Sequence, residues 1–275
     1  MRIGAGSSGN LSPVVRNGRR DVAYGPFVTD ADDYDFSRRR EWASANAKEG
    51  DETLSFILNN LPAIGQRTLQ HLSIVGVAVS LAIVTGVPIG IAITQNKRAA
   101  DIVLYIAAMI MTIPSIALFG LMIPILAQIG QGIGYVPAVI AVLLYSQLPI
   151  IRNTYTAITN VDPALREAAR GMGMAPMQRL TQVELPIAVP VIMAGVRIAV
   201  VINIGITAIA TYIGAGGLGA FISRGISQTD PRQLITGALA VSLLAILADY
   251  FLLWVQYRLT PKGLRLTAAQ IPRAT

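Results

Sequence analysis

The chain has 275 residues and a formal net charge of +7, with 53% hydrophobic and only 13% charged residues, about half the charged share of a soluble domain. Cysteine is absent and histidine occurs once, as His71, which excludes disulfides, thiolate metal sites, a cysteine nucleophile and any multi-histidine metal centre. Residues 1–52 hold eight Lys/Arg and nine Asp/Glu, while residues 53–275 hold fourteen and six; the basic excess therefore belongs to the hydrophobic body, without the basic stripe and interleaved aromatics of a nucleic-acid surface.

Residues 1–52 contain no apolar run, so no signal peptide is expected there; the segment is expected to be a disordered or poorly ordered tail. Leu54, Ile57, Leu58 and Leu61 then fall on one helical face, which predicts an interfacial helix over 54–66 leading into a lipid bilayer. Five apolar stretches follow: Leu72–Thr94, Ile102–Gln128, Ile133–Ile151, Leu185–Ile213 and Leu234–Tyr257. Each is long enough to span, since a membrane helix needs about 20 apolar residues. The first three carry no charge, the fourth only Arg197 and the fifth only Asp249. Pro88, Pro114, Pro124, Pro137, Pro149 and Pro190 punctuate them, which predicts kinked helices around a cavity. Gly86 and Gly90 have the small-xxx-small spacing that suits close helix packing.

The connections at 95–101 and 152–184, with the C-terminal tail, carry ten bases: Lys97, Arg98, Arg152, Arg166, Arg170, Arg179, Arg258, Lys262, Arg265 and Arg273. The opposite side carries Arg67, Arg224 and Arg232. The positive-inside rule makes the ten-base side cytoplasmic, with the N-terminus outside.

The long connection from Asp162 to Pro186 has internal structure. Asp162-Pro163 is a helix N-cap followed by proline at the first helical position, and Gly171 with Gly173 ends that helix. A second short helix is expected from Pro176, and Pro186 opens the fourth span. Such a helical hairpin, joined to a membrane helix, suits passing force from a soluble partner; a plain surface hairpin is the alternative. Glu167-Ala168-Ala169, then Gly173, then Val183 and Leu185-Pro186, resembles the EAA loop of bacterial ABC importer permeases. That resemblance implies an all-α membrane fold of the type I importer permease kind: five kinked transmembrane helices, an interfacial helix and a cytoplasmic coupling helix. It implies that Glu167 contacts an ATPase subunit, that Ala168 and Ala169 permit close approach, and that Gly173 makes the turn.

Ile213-Gly-Ala-Gly-Gly-Leu-Gly219 resembles a loop of osmoprotectant and methionine importers. It lacks the Gly-Lys-Ser/Thr ending of a nucleotide loop. Gly214, Gly216, Gly217, Leu218 and Gly219 are candidates for an outer gate or a binding-protein contact; a tight connection is the alternative. Ala248-Asp249, Leu259-Thr-Pro-Lys-Gly-Leu-Arg265, His71-Leu72 and Pro88-Ile-Gly90 resemble the glycine betaine, choline and carnitine branch. A methionine or other small amino-acid permease is the second reading, and a stand-alone channel or secondary carrier the third. The resemblance implies an ATP-binding subunit holding ATP-Mg, a second permease copy or paralogue, and an extracytoplasmic substrate-binding protein. The chain itself is expected to bind no cofactor or metal and to have no catalytic residue. Expected domains are the tail over 1–52, the permease over 53–266 and a C-terminal tail over 267–275.

Charges at membrane depth are costly and mark candidate functional residues. At about 1.5 Å per residue, Arg197 lies roughly 16 Å past Pro186 and Asp249 roughly 12 Å from the end of the fifth span. Similar depths predict an ion pair. Asn203 and Thr207 are expected on a face near Arg197, lining the pathway.

Overall fold

Residues 50–59 are helical, and Asn60 closes the turn by donating from Nδ2 to the Phe56 carbonyl at 2.8 Å. The computed structural model describes residues 50–261. The expected tails, except for residues 50–52, lie outside the described residues, as do Lys262, Arg265 and Arg273.

Helix α1, Leu61–Ala92, begins at once, with Pro62 in its first turn, where a missing N–H breaks no bond. The interfacial helix expected over 54–66 is therefore divided, and residues 61–66 belong to the first long helix. The polar residues Gln66 to His71 looked like a boundary in the sequence. They stay helical because local and tertiary hydrogen bonds occupy them: Thr68 Oγ1 donates to Ile64 O at 2.8 Å, and the ring of His71 bonds two other segments.

The second apolar stretch is not a straight span. Helix α2, Lys97–Thr112, is capped by Asn96, whose side chain accepts from the N–H groups of Arg98 and Ala99 at 3.0 and 3.3 Å. Helix α3, Ser115–Ala127, follows at an angle of 99°. The break is where proline dictates it: Ile113 is extended at ψ 127°, as the residue before Pro114 must be. The Tyr145 hydroxyl donates to the Ile113 carbonyl at 2.5 Å, which answers the backbone acceptor left open by the break.

Helix α4, Tyr135–Thr159, is the central element and packs between α1 and the helix that carries Arg197. Its approach to α1 is close at Gly90, where an added Cβ would lie 2.6 Å from Thr154 Cβ. The connection holds α5, Pro163–Gly171, and α6, Pro176–Arg179. A π-helical turn, Leu180–Glu184, then runs straight into α7, Leu185–Ile209. Pro186 therefore sits in the first turn of α7 within a continuous helical run, and Arg152 belongs to α4 instead of a loop. After a 3-10 turn, Ala210–Ile213, and the glycine loop, α8, Gly219–Gln228, leads to α9, Pro231–Leu259.

The contacts define two ends. At the first, Gly134 N–H donates to Ile213 O at 2.8 Å and the Tyr135 hydroxyl to Ser73 O at 3.1 Å. At the second, a cleft of about 500 Å³ brings Ile91, Thr94 and Gln95 beside Ile158 and Leu180. The bent α2–α3 pair leaves α1 at the second end and reaches α4 at the first, so it is one broken crossing. With the four long apolar helices it makes five. In α9, Gly237 packs on Ile222 of α8, while Gln256 donates to Pro190 O at 3.1 Å, so Leu259 finishes at the second end.

Candidate functional site

The hairpin at the second end is built as its caps dictate. Asp162 accepts from Ala164 N–H at 2.9 Å and opens α5. Gly173, at φ +77°, closes it, with Met174 N–H reaching back to Ala169 O at 3.1 Å. A left-handed residue here favours glycine. Glu167 and Ala168 are exposed, whereas Ala169 is buried within its own chain. The methyl of Ala169 therefore serves packing of the hairpin and not close approach by a partner. Leu165, Met172 and Met177 are also exposed. The loop's motif does not reveal these three exposed apolar side chains.

Beneath the hairpin, Glu184 is buried and receives Arg179 Nε at 2.8 Å. Arg166 Nε lies 3.4 Å from the same oxygen, within ion-pair range but without hydrogen-bond geometry, while its Nη2 donates to the Ile158 carbonyl. In the sequence Glu184 was only the residue between Val183 and Leu185-Pro186. Leu185 and Pro186 begin α7 immediately above it.

At the first end the glycine loop uses its glycines for conformation. Gly214, Gly216 and Gly217 lie at φ +79°, +79° and +82°. Gly219 leaves no room for a Cβ against the backbone of Ala208. The loop is tied to α1: Leu218 N–H donates to His71 Nδ1 at 3.3 Å and Gly217 N–H to Gln70 Oε1 at 3.3 Å. His71 Nε2 lies 3.0 Å from Ile204 O. Nδ1 accepts and Nε2 donates, so the imidazole is the neutral Nε2–H tautomer. His71 is fully buried. Thr211 Oγ1 completes the loop by donating to Gly216 O at 2.7 Å.

Between the ends, the structure brings Arg197 and Asp249 together as a bidentate pair, and Arg197 Nη1 also donates to Gln256 Oε1 at 3.3 Å. Their side chains are 25% and 36% exposed and border a cleft of about 430 Å³ with Ala194, Ile198, Val201 and Ile202. Asn203 and Thr207 are not on that face. Asn203 Nδ2 donates to Ser146 Oγ of α4 at 2.8 Å, and both residues are fully buried. Six residues of helix turn a side chain through about 600°, which carries Asn203 well around from Arg197. Among the described residues no three of His, Cys, Asp and Glu gather as a metal site.

Residues 82–263 match the family described as the binding-protein-dependent transport system inner membrane component. The chain belongs to that family. This permease is thus a multi-pass inner-membrane transport subunit and not an enzyme; the family works with an ATPase and a substrate-binding protein. It is 55% identical over 214 residues to the osmoprotectant import permease protein OsmW of Salmonella typhimurium, covering 78% of this chain and all of that one. It is 40% identical over 215 residues to the glycine betaine/carnitine/choline transport system permease protein OpuCB of Bacillus subtilis, covering 78% and 97%. Among solved structures it resembles an inward-facing form of the MetNI methionine ABC transporter, with a TM-score of 0.66 and 25% identity over 72% of this chain and 96% of that one.

Proposed function

We propose that this permease carries a small quaternary-amine osmoprotectant, such as glycine betaine, choline or carnitine, through the membrane of an ATP-driven importer. The observation that carries the reading is the hairpin Pro163–Arg179, which presents Glu167 and Ala168 outward and continues as one helical run into α7. The substrate class is supported by the relatives at 55% and 40% identity.

The hairpin end faces the cytoplasm. Among the described residues it holds Lys97, Arg98, Arg152, Arg166, Arg170, Arg179 and Arg258, against Arg67, Arg224 and Arg232 at the other end, the asymmetry that the positive-inside rule reads. The N-terminus is then outside and the C-terminus cytoplasmic. An ATPase subunit binding ATP-Mg docks on Glu167, Ala168 and the exposed Leu165, Met172 and Met177. ATP-driven movement of that subunit displaces the hairpin and, through α7, alternates access to a pathway shared with a second permease copy or paralogue. An extracytoplasmic binding protein delivers substrate at the Gly214–Gly219 loop. Residues 53–266 form the working permease unit.

The test is reconstitution of the chain with an ATPase and a binding protein from the same organism, followed by uptake of labelled glycine betaine, choline and carnitine. ATP-dependent uptake blocked by Glu167→Lys supports the reading. Uptake without ATP, or failure of any ATPase to co-purify, refutes it. The methionine reading is favoured only by the fold likeness at 25% identity; methionine uptake in preference to the quaternary amines would establish it.

A further inference from the structure

We infer that Glu184 is a positioning residue that makes the hairpin and α7 move as one body, and so sets how much substrate crosses per ATP; this rests on the importer reading above. Its side chain is 7% exposed, and a carboxylate so deeply placed must stay paired. Its partners come from separate elements: Arg179 from the end of α6 and Arg166 from α5, with Arg166 also bonded to the last turn of α4. One carboxylate thus joins both arms of the hairpin to the root of α7.

The π turn gives this brace its reason. Arg179 and Glu184 are five residues apart, and in an α-helix they would point about 140° away from each other. The π pattern, closing each bond over i→i+5, brings them to one face. The ion pair and the π turn therefore hold each other in place. A π turn is a site at which helices kink, and the side-chain bridge spans it beside the continuous backbone of Pro176–Ile213. Arg166 anchors that bridge to the coupling helix. The exposed face of the hairpin, where Glu167 and Ala168 lie, takes no part.

The experiment compares the assembled importer carrying wild type, Glu184→Gln, Glu184→Asp, Arg166→Gln or the Glu184→Gln/Arg166→Gln double variant. It reads glycine betaine uptake per ATP hydrolysed in proteoliposomes, beside the yield of intact complex. Glu184→Gln is expected to lower uptake per ATP by roughly twofold to thirtyfold, the span of mutations that alter coupling, with ATP hydrolysis and assembly retained. Glu184→Asp, which keeps the charge, recovers most of it. The double variant falls no further than the worse single one, because both act through one contact. Unchanged uptake per ATP in both Glu184→Gln and Arg166→Gln overturns the inference. Failure of both to assemble overturns it too, since Glu184 then serves folding. A wild-type complex without ATP-driven uptake instead overturns the importer reading itself.

Discussion

Arg197 grips Asp249 with two parallel hydrogen bonds, Nε to Oδ1 at 2.9 Å and Nη2 to Oδ2 at 2.8 Å, at the midpoint of α7. The pair ties α7 to α9, whose outer face is otherwise apolar: Leu239, Leu243, Ile246, Leu247, Phe251 and Trp254 are all exposed. Removing the anion leaves the guanidinium with Gln256 as its remaining hydrogen-bond partner. Asp249→Leu is expected to cost about 1–3 kcal/mol, because the mid-span guanidinium keeps only the neutral Gln256 as a partner. Thermal melting of the detergent-solubilised complex measures it, and Arg197→Asp combined with Asp249→Arg should recover most of the loss. An unchanged melting temperature in Asp249→Leu would remove the pair as a tie.

His71 fastens the glycine loop to α1. Substituting Phe fills the volume but leaves the buried Leu218 N–H without its acceptor, at a cost of about 1–3 kcal/mol. The chain has no cysteine of its own, so a single Ala215→Cys reports on the loop alone. His71→Phe should make that thiol react faster with a water-soluble maleimide, and equal rates would show that the loop holds without the imidazole.

Helices α4 and α7 touch where Gly195 lies. A methyl there would sit 2.6 Å from Asn153 Cβ and 2.7 Å from Pro149 O, so Gly195→Ala must part the helices, for about 1–3 kcal/mol. A methyl added at Gly76 in α1 would meet nothing within 4 Å. Gly76→Ala should instead be neutral or stabilising by roughly 0.5–1 kcal/mol. Melting curves of the two variants are expected to move in opposite directions or, at least, to separate clearly.

Gly173 tests conformation without contact. At φ +77° with nothing within 4 Å, its alanine variant loses only backbone comfort, about 1–2 kcal/mol. Asparagine, which tolerates the left-handed region, should lose less. Hydrogen exchange across α5, together with the fraction of ATPase that co-purifies, should rank glycine, asparagine and alanine in that order.

Much of this was legible in the chain. Uncharged runs marked the crossings, Asp162-Pro163 and Gly173 marked the hairpin's ends, and equal depth along two helices placed Arg197 opposite Asp249. What escaped were features set by partners distant in sequence. Pro114 announced a break in the second span, but neither its 99° angle nor the Tyr145 hydroxyl that meets the Ile113 carbonyl is local to it. The polar run before Leu72 looked like a boundary because the loop that occupies His71 and Gln70 lies some 147 residues away. Asn203 was placed near Arg197 by proximity along the helix, whereas the rotation about its axis turned it toward Ser146.

A π turn is an α-helix with one surplus residue, and Leu180–Glu184 puts that surplus at the foot of α7. Deleting one residue inside it restores plain α-helix and leaves everything beyond in its original azimuth. The same deletion elsewhere between Pro176 and Val196 spins the remainder through about 100° and swings Arg197 off Asp249. The root of α7 is thus the single position along this rod where the chain can gain or lose length while its downstream faces keep their bearings.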